Sequence, residues 1–408
     1  MSKKVSEEVS ETVGADSAQP DGAHALAVRV RARLHLIEQH AAQTEREGGL
    51  PAPVLAALHD AHLFRMLLPR SIGGLEVAPE AFIETLELLA AADASTAWMV
   101  AQGCGCSLAA AYLPAASARQ VFGANDAVLA WGPSGTGARI VAADGGYRVT
   151  GQWHFASGNR HAQWLGGHGS VYENDGAPRL DASGKPVERT VVFPREAARI
   201  DGQWTVMGLK GTGSDGYAVT DLFVPDAMTY QREAPGERRE HGPLYNFTGM
   251  NMFAFGIAAM GLGIARAMLD AFVAVAKEKS DRVTGKRLRD SGVIQAEVAK
   301  AEARLLSSRG FMLATARELY GVAVGGAAFT GEQRARMRLS TSWATTEARA
   351  VADFAYTTAG ATAIFASGPF ERRFRDIHTL TQQVQAHASN FELVGQSLLG
   401  VPSSSRLM

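Results

Sequence analysis

The chain has 408 residues, 46% of them hydrophobic, with 40 basic and 41 acidic side chains. That length is enough for two or three packed units around a large core. A net charge of −1 gives no broad field to attract nucleic acid or an anionic membrane, so neither is expected as a partner.

Residues 1–23 are polar, lack an apolar leader core and read as a disordered tail. Residues 24–125 read as a helical domain. "PAPVLAALHDAHLF" opens on proline and places Val54, Leu55, Leu58 and Leu63 near helical spacing. "PRSIGG" breaks the pattern, and a second helix follows with Phe82, Leu86 and Leu89 on its apolar face. The two cysteines, Cys104 and Cys106, lie in an Ala/Gly/Leu run with no histidine nearby. They read as buried free thiols in a reducing, cytoplasmic setting, not as metal ligands.

Residues 126–235 read as a central β domain, sandwich or barrel. "ARIVAADGGYRVTGQW" carries a turn at Asp144-Gly145-Gly146 between two alternating runs, and "RTVVFP" and "YAVTDLFVP" each end on proline. Residues 236–408 return to helices. The apolar stretch Phe253–Ala276 is interrupted by Arg266 and Asp270, which favours a buried helix over a membrane span. Ile294, Val298, Ala301, Leu305 and Met312 form one stripe, and Leu339, Trp343, Ala350 and Phe354 a second, as in an antiparallel bundle. The order helical, sheet, helical leaves no alternating βαβ units, so a doubly wound dinucleotide fold is not expected.

The zincin, nucleophile-elbow and phosphate-loop signatures are all missing. Three loops of the β region instead offer small hydroxyls and free amides: Ser134 with Thr136, Ser157, and Thr212 with Ser214. Each fits an ordinary turn or a wall for a planar, hydrogen-bonding heterocycle covered by an aromatic such as Trp153. "GQWHFASG" poses the question most sharply: an aromatic strand that stops at Ser157-Gly158, where glycine allows close backbone approach.

"LFRMLLPRSIGG", "ADASTAW", "GQWHFASG", "MGLKGTGSDGYAVTDLFVP", "SDRVTGKRLRDSGVIQAEVAKAEARL" and "AGATAIFASGPFERRFRDIHTLTQQ" occur in that order. Together they resemble the acyl-CoA dehydrogenase superfamily over roughly residues 25 to 400. The resemblance implies an α+β fold with an N-terminal helical domain, a central β-sandwich or barrel and a C-terminal four-helix bundle. It implies a flavin ring held by Trp131, Ser134, Trp153, Ser157, Gly158, Thr212 and Ser214, with Arg282 and Gln295 toward an FAD diphosphate. It also implies a homotetramer.

A dehydrogenase of this family needs a carboxylate base shortly after the Arg375-Asp376 pair. Here the matching position falls near Val384, and no acid follows Asp376 before Glu392. The segment resembles instead the two-component flavin-dependent monooxygenases. In that branch a separate NAD(P)H:flavin reductase supplies FADH2 or FMNH2, molecular oxygen adds at the flavin, and a small aromatic substrate is hydroxylated. The resemblance then assigns Ser157 to the flavin N5 edge, His378 as catalytic base or substrate anchor, and Trp98 and Gln382 to the substrate cavity. His378 and Trp98 taken alone also fit structural roles, and Arg282 fits a salt bridge to Asp290. Alternatives are an FAD-dependent acyl-CoA dehydrogenase, a flavin-dependent N-oxygenase of an amine, and a cofactor-free binding protein that keeps the fold.

Overall fold

The computed structural model describes residues 20–133, 137–234, 236–282 and 285–401, excluding the side chains of residues 20–23. Residues 1–19 of the expected tail over 1–23, and Ser134 with Thr136, lie outside the described residues, while the backbone of residues 20–23 is already helical.

Five helices come first: α1 (Pro20–Glu47), α2 (Ala52–Asp60), α3 (Pro79–Ala92), α4 (Ala94–Ser107) and α5 (Ala115–Phe122). Prolines start α2 and α3, where the missing N–H costs nothing. Asp93 caps α4 by accepting the Thr96 N–H at 2.8 Å. Val54, Leu58, Leu63, Phe82, Leu86 and Leu89 are all buried.

Among the described residues, eight strands follow: β1 (Leu129–Ala130), β2 (Arg139–Ala143), β3 (Gly146–Trp153), β4 (Trp164–Tyr172), β5 (Glu188–Pro194), β6 (Arg199–Asp201), β7 (Gly216–Pro225) and β8 (Thr229–Tyr230). They form one sheet in the order β6-β7-β3-β2-β4-β5-β8, with β1 paired to β4. The β2–β3 hairpin closes at the expected turn, with Ala143 opposite Gly146 and Gly145 at φ +73°. Most pairs are antiparallel, but β4 runs parallel to both β1 and β2.

The C-terminal helices are α6 (Gly249–Glu278), α7 (Gly292–Val324), α8 (Gly331–Ala359), α9 (Glu371–Leu380) and α10 (Ser389–Leu398). Helix α6 is the only described helix long and apolar enough to cross a membrane, and 83% of that window is buried inside the molecule. Its apolar surface packs on α3 on one side and α8 on another, which joins the two helical blocks. Thr248 caps α6 and Thr330 caps α8, each through a reciprocal capping box.

Ala301, Leu305 and Met312 of the first expected stripe are buried. The second stripe is corrected. Trp343 is 42% exposed, and α8 buries Ala344, Ala348, Val351, Ala352 and Ala355 instead. Small side chains let α8 approach α6 closely, so the tight face is the alanine face.

Candidate active site

A cavity of about 490 Å³ opens where the β domain meets α4, α6 and the segment after α9. That size suits a small-molecule site. Aromatic residues Trp98, Trp131, Phe155, Trp204 and Phe253 dominate its wall, and Ser157, Thr212, Ser214, Gln102, Gln382 and Gln383 add polar groups. No Asp or Glu lines it among the described residues, and Val384 is part of the wall.

Two loops build the polar edge. The Gly158 amide donates to Thr212 O at 3.0 Å, and the Ala156 amide to Asp215 O at 3.2 Å. Asn159 donates to Gly213 O at 2.8 Å. The Arg160 guanidinium grips the buried Asp215 carboxylate from Nε at 2.8 Å and Nη2 at 3.0 Å.

On this frame the three hydroxyls form a chain whose direction can be deduced. Thr212 donates to Leu209 O at 2.8 Å, which uses its only proton. Ser214 must therefore donate to Thr212 at 2.8 Å, and Ser157 to Ser214 at 2.7 Å. Ser157 Oγ also accepts Trp98 Nε1–H at 2.9 Å. One Ser157 lone pair remains, on the cavity wall, as an acceptor waiting for an N–H. The N–H at N5 of a reduced flavin fits that acceptor, so the residues present suit the cofactor expected from the sequence.

Asp376 supports the loop from behind. Its carboxylate accepts the Leu209 N–H at 2.6 Å, and Leu209 holds φ at +52°. Burial pushes the Asp376 carboxyl up to about 7, against the opposing hydrogen bond from Leu209 and with Asp93 adding to the rise. An unfolded aspartate titrates near ~4. The folded chain therefore holds this proton more tightly, and the resulting stability, full below pH ~4, is lost as pH rises through about 7. Asp376→Asn should remove that loss. The melting temperature of the variant relative to the parent should be more favourable at pH 8 than at pH 5, and a difference independent of pH would contradict the assignment.

The cavity thus gathers Trp98, Trp131, Ser157, Thr212, Ser214 and Gln382. Five expected residues do not line it: Trp153, Gly158, Arg282, Gln295 and His378. Trp153 is fully buried beneath the sheet, stacked on Tyr217 at 5.3 Å, with its Nε1–H donated to His168 O at 2.9 Å. Side-chain atoms at Gly151 or Gly167 would strike its indole, so glycines make the room it fills. Phe155, two residues on and at φ +63°, takes the exposed aromatic position and meets Trp204 edge-on at 6.0 Å. Gly158 holds φ at +75°, a left-handed turn that favours glycine, and a Cβ there would meet Met99 of α4 at ordinary contact distance. Arg282 and Gln295 are exposed, and Gln295 donates to Arg289 O at 2.9 Å. Arg282 forms no salt bridge to Asp290, which meets Arg289 at 3.8 Å.

His378 is also corrected. It sits on the face of α9 that packs on α8, with Nε2 2.9 Å from Asp353 and its ring 4.4 Å from Phe374. Its neighbours Thr379, Gln382 and Gln383 line the cavity, but His378 does not. The imidazole on the cavity wall is His168 of β4, whose flanking glycines were the available sequence signal.

The description "Acyl-CoA dehydrogenase, C-terminal domain" matches residues 255–388. Indole-3-acetate monooxygenase of Pseudomonas putida is 29% identical over 374 residues, covering 91% of both chains. The flavin-dependent monooxygenase oxygenase subunit HsaA of Rhodococcus jostii is 28% identical over 400 residues, covering 93% of this chain and 100% of its own. The crystal structure of 3-HSA hydroxylase from Rhodococcus sp. RHA1 superimposes with a TM-score of 0.84 at 27% identity, over 94% of this chain and 99% of that one.

Proposed function

We propose that the chain is an acyl-CoA dehydrogenase-like protein of the branch of flavin-dependent monooxygenase oxygenase subunits, and that it hydroxylates a small aromatic or heteroaromatic compound. Its co-substrates are reduced flavin and molecular oxygen, and a separate reductase supplies the flavin. The observation that carries this reading is the cavity wall: an unfilled acceptor on Ser157 and no acid among the described residues.

The chemistry supplied by a bound reduced flavin is the activation of oxygen for transfer to the substrate. The chain's own residues do the rest. Ser157, Thr212 and Ser214 would hold the flavin's N5 edge, and Trp131 and Phe155 would border the ring. Trp98 orients Ser157 and, with Gln382, borders the substrate space. The aromatic wall excludes water, which lengthens the life of a reactive oxygen species. A dehydrogenase would need a base to remove a carbon-bound proton, worth about 10²–10⁴ in rate, and Val384 cannot serve.

The cofactor tail and quaternary state extend the proposal. Arg282 and Gln295 can meet a diphosphate only away from this cavity, which suits FAD reaching a neighbouring chain of a homotetramer. Val293, Leu398 and Leu399 are 74%, 73% and 82% exposed, as apolar positions covered by such a neighbour would be. Two free, buried thiols suit the cytoplasm.

The test supplies the protein with a generic flavin reductase, NADH, isotopically labelled oxygen and a panel of phenols, indoles and aryl acids. Label should enter one product. Anaerobic bleaching of bound FAD by an acyl-CoA, with no label in any product, would establish the dehydrogenase alternative instead.

A further inference from the structure

The cavity has a second polar end that the hydroxyl chain does not explain. His168 is 1% exposed, lies on the wall, and meets Trp131 edge-on at 5.1 Å. Its Nδ1 bonds Thr190 Oγ1 at 2.8 Å, while its Nε2 is buried with no partner. Orphaned buried ring nitrogens are rare, because the lost water bond costs free energy. Arg232 lies on the same wall. It borders the main cavity, a smaller apolar lobe beside Tyr112 and Tyr230, and a polar cleft at the surface. Among the described residues it forms no ion pair or hydrogen bond, although Glu188 and Glu233 border the adjoining cleft.

We propose that Arg232 and His168 together bind an anionic substituent, a carboxylate, on the aromatic substrate. This inference rests on the oxygenase reading and names the substrate class for that site. A guanidinium matches a planar carboxylate with paired N–H donors, and an imidazole Nε2–H adds a third. Burial, reinforced by the nearby charge of the exposed Arg232, keeps His168 neutral, so it offers one N–H without adding a buried charge of its own. The aromatic wall takes the ring, and Ser157 stays free for the flavin.

The experiment measures dissociation constants by anaerobic equilibrium dialysis on the flavin-loaded protein. Three probe pairs are used: indole-3-acetate, 4-hydroxyphenylacetate and benzoate, each against its primary amide. At least one acid should bind tenfold or more tightly than its amide, the ratio expected for charge-assisted bonds. Arg232→Met should bring that ratio to within about threefold of one, Arg232→Lys should keep part of it, and His168→Leu should lower it about threefold or more. If no acid binds more tightly than its amide in the parent protein, the inference is wrong. An acid preference that survives Arg232→Met would also overturn it. Labelled oxygen separates the two readings. Label in a neutral aromatic without acid preference sinks only the carboxylate site, while acid preference with no label in any product sinks only the oxygenase.

Discussion

Ser157→Ala is expected to cut product formed per NADH consumed by about tenfold or more, with the missing turnover appearing as hydrogen peroxide. The substitution removes the free acceptor that Ser157 presents on the polar edge. It also strands Trp98 Nε1–H, which has Ser157 as its partner, and leaves the Ser214 oxygen without its donor. Losing a bond at a buried site costs about 1–3 kcal/mol, which corresponds to roughly five- to 150-fold in a rate or population. Ser157→Thr keeps the hydroxyl and should retain most coupling. An alanine variant that couples like the parent would remove Ser157 from the account.

Arg160→Met is expected to destabilise the protein by about 3 kcal/mol and to weaken flavin binding at the same time. The Asp215 carboxylate is 2% exposed and takes both of its charged bonds from Arg160. Removing the cation leaves a buried anion alone, which costs far more than losing a surface pair. Arg160 also donates to Glu47 O at 3.0 Å, so it ties α1 to the loop that carries Ser214. Denaturant midpoints and flavin titrations read the two effects. Adding Asp215→Asn should recover part of the stability, because the neutral amide no longer needs a cation. A single variant within about 0.5 kcal/mol of the parent would show that the pair does not hold the site.

The order of helices, sheet and helices was legible because period and turn residues are local signals: Pro51 and Pro79 at helix starts, Gly145 in the hairpin turn. That no acid stands between Asp376 and Glu392 was legible too, because that is a property of the sequence and not of the fold. Faces were harder. Alternation marked Trp153 and Phe155 as one face, but the strand ends at Trp153 and the left-handed Phe155 turns the chain. Which aromatic is covered depends on β4, whose Gly167 is distant in sequence. On α9, His378 and Thr379 are adjacent, and one helical step separates the cavity from Asp353. His168 was not legible as a site residue: the glycines of "WLGGHGSVY" allow close approach, but they do not say that one ring nitrogen finds Thr190 and the other finds nothing.

A crystal structure of the protein with reduced flavin, grown without oxygen, bears most directly on the whole account. The ring should lie along the Ser157–Ser214–Thr212 edge with its N5 nitrogen in hydrogen-bond reach of Ser157 Oγ and Val384 on the cavity wall. A ring bound elsewhere, or an Asp or Glu side chain reaching over it into the substrate space, would contradict the account.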